Sequence, residues 1–435
     1  MGGTLHKYIP DAIAELWGIS DFRPLQREAI EADLAGRDSL VVMPTGGGKS
    51  LCFQGPAMTS HRLGMTVVVS PLISLMKDQV DALEQRGISA AFLNSQQLPH
   101  QQAEIVQRAK FGDLRLLYVA PERLDTPGFL AMLKRLPVAT FVIDEAHCIS
   151  QWGHDFRPAY LQLANLRKLF PRVPIHAFTA TATPPVRAEI AERLGLRHPV
   201  VLVGDFDRPN LFLRVERRTD IDKQLPDYIW ERPADPGIVY CATRAETEFL
   251  ARRLRARHIS AVAYHAGMDP GRRSRVQCGF MSGDCKVVVA TIAFGMGIDK
   301  PDVRYVVHTS MPSSIEVYHQ EIGRAGRDGK PAECVILWDP SDRDRWFSRF
   351  ELDESACMET LVEKRHHGPQ ESKYIAVNLM ADYCEADEGT HCRHRHLVEH
   401  FDQRFGVDDC GACDICVPSV VSNVGSAVRT NKEAL

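Results

Sequence analysis

The sequence predicts an α/β protein: two tandem units, each built on a parallel sheet, followed by a small helical unit that binds metal. Short runs rich in Val and Ile alternate with helix-like stretches, the pattern of βαβ units with parallel strands. That pattern pauses and restarts once, near residue 207. After residue 340 it gives way to helical, charged, Cys/His-rich sequence. A chain of 435 residues is also longer than one ordinary core, and about two or three units is the expected number.

In the first unit, residues 1–207, the strand-like runs are SLVVM at 39–43, TVVVS at 66–70, LRLLYVA at 114–120, ATFVIDE at 139–145 and IHAFTA at 175–180. In the second, residues 208–340, they are GIVYC at 237–241, AVAYHAG at 261–267, CKVVVAT at 285–291 and VRYVVH at 303–308. Residues 341–418 form the third unit, and 419–435 have too little apolar content for a core and read as a tail.

Apolar residues are 44% and charged residues 25% of the chain, an ordinary globular balance. The net charge of −4 excludes a chain-wide basic field, so any grip on nucleic acid is local. No run is long and apolar enough to span a membrane, the start MGGTLHKYIP lacks a signal-peptide core, and His6 stands where a myristoylation signal at Gly2 wants Ser or Thr. The expectation is a soluble intracellular protein: cytoplasmic and nucleoid-associated if bacterial, nuclear if eukaryotic. Seven cysteines scattered from Cys52 to Cys357 read as buried thiols.

Met43-Pro44-Thr45-Gly46-Gly47-Gly48-Lys49-Ser50 follows a strand-like run and precedes a helix-like one. Glycines there let backbone N–H groups close around phosphate at a helix N-terminus. Lys49 is expected to hold the outer phosphates and Ser50 to place its hydroxyl on Mg²⁺; the strict pattern has Gly where Met43 stands. Asp144 and Glu145 close the run ATFVI, at the strand end that faces the ligand crevice of an open α/β sheet. Asp144 is expected to bind Mg²⁺ and Glu145 to orient and deprotonate the attacking water. In the second unit, Gln320-Glu321-Ile322-Gly323-Arg324-Ala325-Gly326-Arg327-Asp328 is read as a helix with both arginines on one face. They suit a phosphoryl group in flight, reaching across a cleft between lobes, and the competing reading is an ion-pair network with Glu321 and Asp328.

Cys392, Cys410, Cys413 and Cys416 give C-x17-C-x2-C-x2-C, four thiolates for a closed structural zinc site. The last three are a compact signal. The distant place is contested by Cys384 and by His391, His394, His396 and His400; His396 and His400, at i and i+4, are read as an ordinary polar helix face.

These motifs, with several others in order, resemble superfamily 2 helicases and specifically the RecQ family, over residues 5–418. Phe22-Arg23-Pro24-Leu25-Gln26 looks like the family's motif ahead of the phosphate loop, which implies that Gln26 reads adenine with support from Arg23. A Gln satisfies donor and acceptor groups of adenine together. Leu25 stands where many members have Gly, and Phe53 where Tyr is common. Asp144-Glu145-Ala146-His147-Cys148-Ile149-Ser150-Gln151-Trp152-Gly153-His154-Asp155-Phe156-Arg157-Pro158 is similar to the family's motif II and aromatic-rich loop, which links DNA binding to hydrolysis. Trp152 and Phe156 offer faces for bases, and Gln151, His154 and Arg157 offer hydrogen bonds or charge; the competing reading is a loop anchored to the core by its aromatics.

Ser70-Pro71-Leu72-Ile73-Ser74-Leu75-Met76-Lys77-Asp78-Gln79 resembles a DNA-facing motif, and Ala120-Pro121-Glu122-Arg123-Leu124 is a further match. Thr179-Ala180-Thr181-Ala182-Thr183 resembles the segment that joins ATP state to strand movement. Thr291-Ile292-Ala293-Phe294-Gly295-Met296-Gly297-Ile298-Asp299-Lys300-Pro301 is similar to a second-lobe motif touching backbone and nucleotide, through Thr291 and Asp299. In the family an Arg follows the first zinc Cys, which fits Cys392-Arg393 and not Cys384-Glu385.

The resemblance implies two RecA-like domains followed by a zinc-binding domain, with ATP, Mg²⁺ and Zn²⁺ as cofactors. It implies single-stranded and partially duplex DNA and recombination or repair proteins as partners, no membrane, and 3′→5′ translocation. Many members continue into a winged helix for which no residues remain here, so the alternative is a DNA-stimulated ATPase, translocase or annealing module that unwinds poorly. An RNA-dependent helicase is a further rival, opposed by the aromatic-rich loop and the zinc spacing.

Overall fold

The computed structural model describes residues 5–59, 64–71, 73–94, 97–126, 128–150, 152–153, 155–295, 298–358, 368–386 and 392–418. Gly2, Gln151, His154, Met296, Gly297, His391 and the expected tail 419–435 lie outside the described residues. The chain divides into two compact units, Met1–Asp205 and Phe206–Leu435.

The first unit has seven strands: β1 (Ser39–Val42), β2 (Met65–Val69), β3 (Ala90–Leu93), β4 (Leu116–Val119), β5 (Val138–Ile143), β6 (Ile175–Thr179) and β7 (Val200–Val203). They pair in the order β3-β4-β2-β5-β6-β1-β7, all parallel. Parallel strands cannot be joined by hairpins, so helices cross over the sheet and cover its faces. Central strands therefore lose contact with water on both sides, and β2, MTVVV, is buried at all five positions. Strand β7, at the sheet edge, is half exposed.

The second unit has six strands: β8 (Leu211–Arg217), β9 (Gly237–Tyr240), β10 (Ala261–Tyr264), β11 (Val287–Ala290), β12 (Tyr305–His308) and β13 (Ala332–Trp338), in the order β10-β11-β9-β12-β13-β8, again all parallel. Successive side chains point to opposite faces. Ile238, Val288, Val306 and Ile336 thus join one core cluster, and Val239, Val287, Val307 and Val335 another. At roughly 1.5–3 kcal/mol for each fully buried aliphatic side chain, these two layers hold the sheet.

The cysteine-rich segment is built into the first of those layers. Tyr383, Cys384, Cys392, Leu397 and Cys413 belong to the cluster that includes Ile238 and Val306. Its loop also covers the open edge of β8: Leu213 N donates to Ala412 O at 2.9 Å and Asp414 N to Leu213 O at 3.0 Å. An uncovered edge strand leaves unpaired backbone groups, and this loop satisfies some of them.

Four strands, β3, β7, β8 and β13, come in addition to the nine runs. In β8, LFLRVER, charge interrupts the apolar run, yet Arg214 is buried because Glu216 (2.8 Å) and Glu333 (3.2 Å) neutralise it. The arginine stretch is corrected. Its helix spans Ile315–Ile322 and ends at Gly323, so Arg324 and Arg327 stand on the following turns, where Gly326 has φ +55°. The scattered cysteines are corrected at one point: Cys278 is exposed, and the side chain of Cys357 lies outside those described.

Candidate nucleotide and zinc sites

The parallel sheet of the first unit brings the ends of β2, β5, β6 and β1 side by side. Ser70 follows β2, Asp144 and Glu145 follow β5, Thr179 ends β6, and the glycine-rich loop follows β1. Motifs scattered along the sequence thereby meet on one carboxyl edge.

The loop turns on glycines, Gly46 at φ +84° and Gly48 at φ +79°. Gly48 favours glycine by conformation, and a side chain there would also displace the Gln26 amide from its bond to the loop. Met43 needs no such freedom: its φ is not positive and its side chain is buried in the core. Lys49 opens the helix Lys49–Ala57, with Ser50 next to it, and its Nζ donates to Met43 O at 3.1 Å.

Gln26 Nε2 donates to Gly48 O at 3.1 Å, its Oε1 accepts from Arg23 N at 2.8 Å, and the Arg23 guanidinium donates to Gly46 O. The two side chains expected at adenine hold the loop itself, and an adenine contact must exchange with these bonds. Leu25 between them has φ +67°, a left-handed conformation that favours glycine.

Asp144 is half-buried, between Ser70, Glu145 and Tyr160. Burial first, and then the neighbouring Glu145 charge, push its carboxyl up to about 7, while Lys49 and hydrogen bonds from Glu145 N (3.0 Å) and Ser70 Oγ (3.3 Å) pull it back. A carboxylate held this way favours a cation beside it. Glu145 sits in left-handed backbone, φ 48° and ψ 48°, a strain typical of functional positions.

Glu145 Oε2 lies 3.4 Å from His147 Nδ1, which donates to Thr179 Oγ1 at 2.8 Å; Thr179 in turn donates to Thr181 O at 3.2 Å. Thr179 and Thr181 are buried. They present no hydroxyl at the surface, and Thr179 is joined to Glu145 through His147.

In the aromatic-rich loop Trp152 is 55% exposed, which suits base stacking and not core anchoring. Phe156 is half-buried. Arg157 is held by Asp155 at 2.9 Å and donates to Pro71 O at 3.2 Å, tying the loop to the segment after β2. Tyr160, a residue the motifs do not single out, is buried and donates to Asp144 O at 2.9 Å. In sequence it is indistinguishable from a core aromatic.

In the second unit Arg324 is buried, its Nε without a hydrogen-bond partner among the described residues, and it lies against Tyr240. Arg327 reaches exposed Asp299 at 2.6 Å; burial first and then Arg324 lower its pKa to about 10. The competing ion-pair network is not formed, because Glu321 pairs with His308 (2.8 Å) and Asp328 with Arg304 (2.7 Å). Two adjacent buried guanidiniums are a place for an anion. Gln320 is half-buried on the preceding helix, and Thr291 is half-buried just after β11.

The sulfurs of Cys392, Cys410, Cys413 and Cys416 lie within 4.8 Å of one another. Four thiolates about 2.3 Å from a zinc ion are about 3.8 Å apart, so the set fits a tetrahedral site. Hydrogen bonds from Cys392 and Cys410 push the Cys413 thiol far down, and Cys416 N and Ala412 N point at Cys413 and Cys410 sulfurs at 3.4 and 3.3 Å. Such N–H groups orient and stabilise thiolates. The rivals are engaged elsewhere: Cys384 is buried in the core, His394 bonds Asp207, His396 packs on Tyr383 and His400 pairs with Glu316 at 2.7 Å. His396 and His400 are half-buried and make their contacts outside the four-cysteine set.

Three family models match the chain: DEAD/DEAH box helicase at residues 23–190, helicase conserved C-terminal domain at 220–329, and RecQ zinc-binding at 352–417. The chain is 43% identical over 407 residues to an ATP-dependent DNA helicase RecQ of Pasteurella multocida, covering 94% of this chain and 62% of that one. It is 44% identical over 405 residues to its namesake in Haemophilus influenzae, covering 93% and 63%. It therefore spans somewhat under two thirds of these relatives' length. A solved structure of the helicase Lhr of Mycobacterium smegmatis, bound to ssDNA and AMP-PNP, superposes with a TM-score of 0.61 at 20% identity, over 92% of this chain and 55% of that one, which speaks to fold.

Proposed function

Because the chain belongs to the RecQ family of superfamily 2 helicases, we propose that it is an ATP-dependent DNA helicase that moves 3′→5′ on single-stranded DNA and unwinds duplexes in recombination and repair. The observation that carries the ATPase reading is the carboxyl edge of the first sheet, where the glycine loop, Lys49, Ser70 and the half-buried Asp144 meet and Lys49 draws down the raised pKa of that acid. An ordinary polar turn has no use for a raised carboxyl set beside a lysine and held by Ser70 Oγ. A cation–phosphate site does.

Lys49 and the loop N–H groups hold the β- and γ-phosphates, while Arg23 and Gln26 take the adenine. Ser50 and Asp144 hold Mg²⁺, which when bound neutralises phosphate charge. Glu145 takes a proton from water as the water oxygen bonds to the γ-phosphorus and the bond to the β–γ bridging oxygen breaks, releasing ADP and phosphate. Arg324 and Arg327 stabilise the charge that builds on the transferring group, Gln320 positions its hydrogen bonds, and Asp299 holds Arg327 in readiness. Zinc on the four cysteines supplies folding energy; with all four positions filled by protein it activates no water.

DNA contacts fall to Gln151, Trp152, His154, Phe156 and Arg157 in the first unit and Thr291 in the second, with Thr179 and Thr181 relaying the state of Glu145. Contacts to backbone and stacked bases carry no sequence preference. No described helix is long and apolar enough to cross a membrane.

The test measures ATP turnover without nucleic acid, with single-stranded DNA and with RNA, with Lys49→Ala as the blank. Stimulation by DNA over RNA is expected, and equal rates in all three defeat the reading. Displacement of a duplex with a 3′ tail and not of one with a 5′ tail is the expected mark of direction; the reverse preference overturns it.

A further inference from the structure

The first five residues of the second unit, Phe206-Asp207-Arg208-Pro209-Asn210, touch both the arginine turn and the zinc-bearing segment. On one side, Arg208 Nη2 donates to Ala325 O and Gly326 O at 3.0 Å each, and Asn210 Nδ2 to Gly326 O at 2.9 Å and Lys330 O at 3.0 Å. These carbonyls belong to the turn that carries Arg324 and Arg327. The turn is shaped around the contact: Gly326 is left-handed, and a Cβ there would meet Asn210 Nδ2 at 2.5 Å.

On the other side, His394, buried on the helix Arg393–His400 that opens right after the zinc ligand Cys392, places Nδ1 against Asp207 Oδ1 at 2.7 Å and Nε2 against Leu211 O at 3.1 Å. The same Asp207 oxygen accepts from Arg208 N at 2.9 Å. The ring of Phe206 stacks on Phe401, 4.0 Å between centroids and 8° from parallel, and Phe206 N donates to Gln403 Oε1 at 3.1 Å. His319, one residue before Gln320, donates through Nε2 to Phe206 O at 3.1 Å; burial pushes its imidazole down to about 4, so it remains a neutral donor.

A continuous chain of short contacts thus runs His394, Asp207, Arg208, Ala325 and Gly326, Arg327. Resting on the assignment of Arg324 and Arg327 to the γ-phosphate, we propose that His394, Asp207 and Arg208 are positioning residues, through which the zinc-bearing segment sets the arginine turn for hydrolysis. The segment is then more than a folding element. Buried side-chain contacts with one geometry fix the carbonyls of Ala325 and Gly326, adding to the backbone bonds from Gly326 N to Val303 O (2.9 Å) and from Asp328 N to Pro301 O (3.1 Å) that anchor the rest of the turn, and an ångström of misplacement costs about a hundredfold in rate.

The experiment uses the zinc-loaded full chain and compares His394→Ala and Asp207→Asn, one on each side of the contact, each in the parent and in an Arg327→Ala background. Zinc content, KM for ATP and kcat with saturating single-stranded DNA are read for all. The expected result is one zinc per chain, KM within about twofold, and kcat down about ten- to a hundredfold in the parent, with a clearly smaller further loss once Arg327 is absent and only Arg324 is left for the turn to place. A merely structural role lowers the active fraction by the same factor in both backgrounds, and that outcome, or an unchanged kcat in the parent, overturns the proposal. If His394→Ala loses zinc, Asp207→Asn alone decides. An Arg327→Ala chain that turns over ATP at the parental rate instead sinks the underlying arginine assignment, and the relay with it.

Discussion

In the first unit Asp144 and Glu145 stand directly after the end of β5, and Lys49 opens the helix that follows β1 across the short glycine loop, so each is placed by elements adjacent to it along the chain. In the second, Arg324 and Arg327 follow a helix rather than a strand, on a turn held by a side chain 117 residues away. Both units are parallel sheets with helices on their faces, yet one sets its chemistry by backbone topology and the other by long-range side-chain contacts. The first arrangement depends on its motifs and on the few side chains that steady them, Ser70, Tyr160 and Gln26 among them. The second exposes the motif to faults in residues that never meet substrate.

That contrast breaks most sharply at the metal. Cys413→Ser leaves three thiolates, and structural zinc binding is folding energy. Loss of zinc, and collapse or aggregation of the second unit, are expected, read by zinc analysis and by proteolysis that spares residues of the first unit; a soluble variant with full turnover would falsify a structural metal.

Within a folded chain, Arg327→Ala is expected to lower kcat by on the order of a thousandfold with ATP affinity held within a few-fold, by stopped-flow binding and steady-state turnover. Asp144→Asn should lose comparable turnover but through Mg²⁺, so that raising Mg²⁺ partly restores it and does nothing for Arg327→Ala. Identical magnesium responses would erase the distinction between the units.

The mildest prediction concerns pH. Asp144 carries its charge only above about 7, so apparent Mg²⁺ affinity should fall up to about tenfold per unit as pH drops below that value. Stability takes the opposite sign. The folded pKa is raised above the ordinary 3.8, the folded state binds more protons than the unfolded one between those values, and this group's burden on the first unit is relieved as pH falls from about 7. Magnesium titrations at pH 6 and 8 check the first. Unfolding of Asp144→Asn against the parent checks the second, the gap closing toward pH 5.

The sequence by itself determined the two α/β units, the loop from Met43 to Ser50, the acids at 144 and 145 and the C-x2-C-x2-C cluster, because each of these is written in residues close along the chain and enforced by local geometry. Only the tertiary structure decided the rest. It ended the helix before Arg324, chose Cys392 over its five rivals by engaging four of them elsewhere, turned Gln26 onto the loop, buried Thr179 behind His147, and brought Tyr160 to Asp144 and Arg208 to the arginine turn. Those choices depend on which groups satisfy a buried donor or carbonyl, and hydrogen bonds between residues 16 to 187 positions apart leave no periodicity to read.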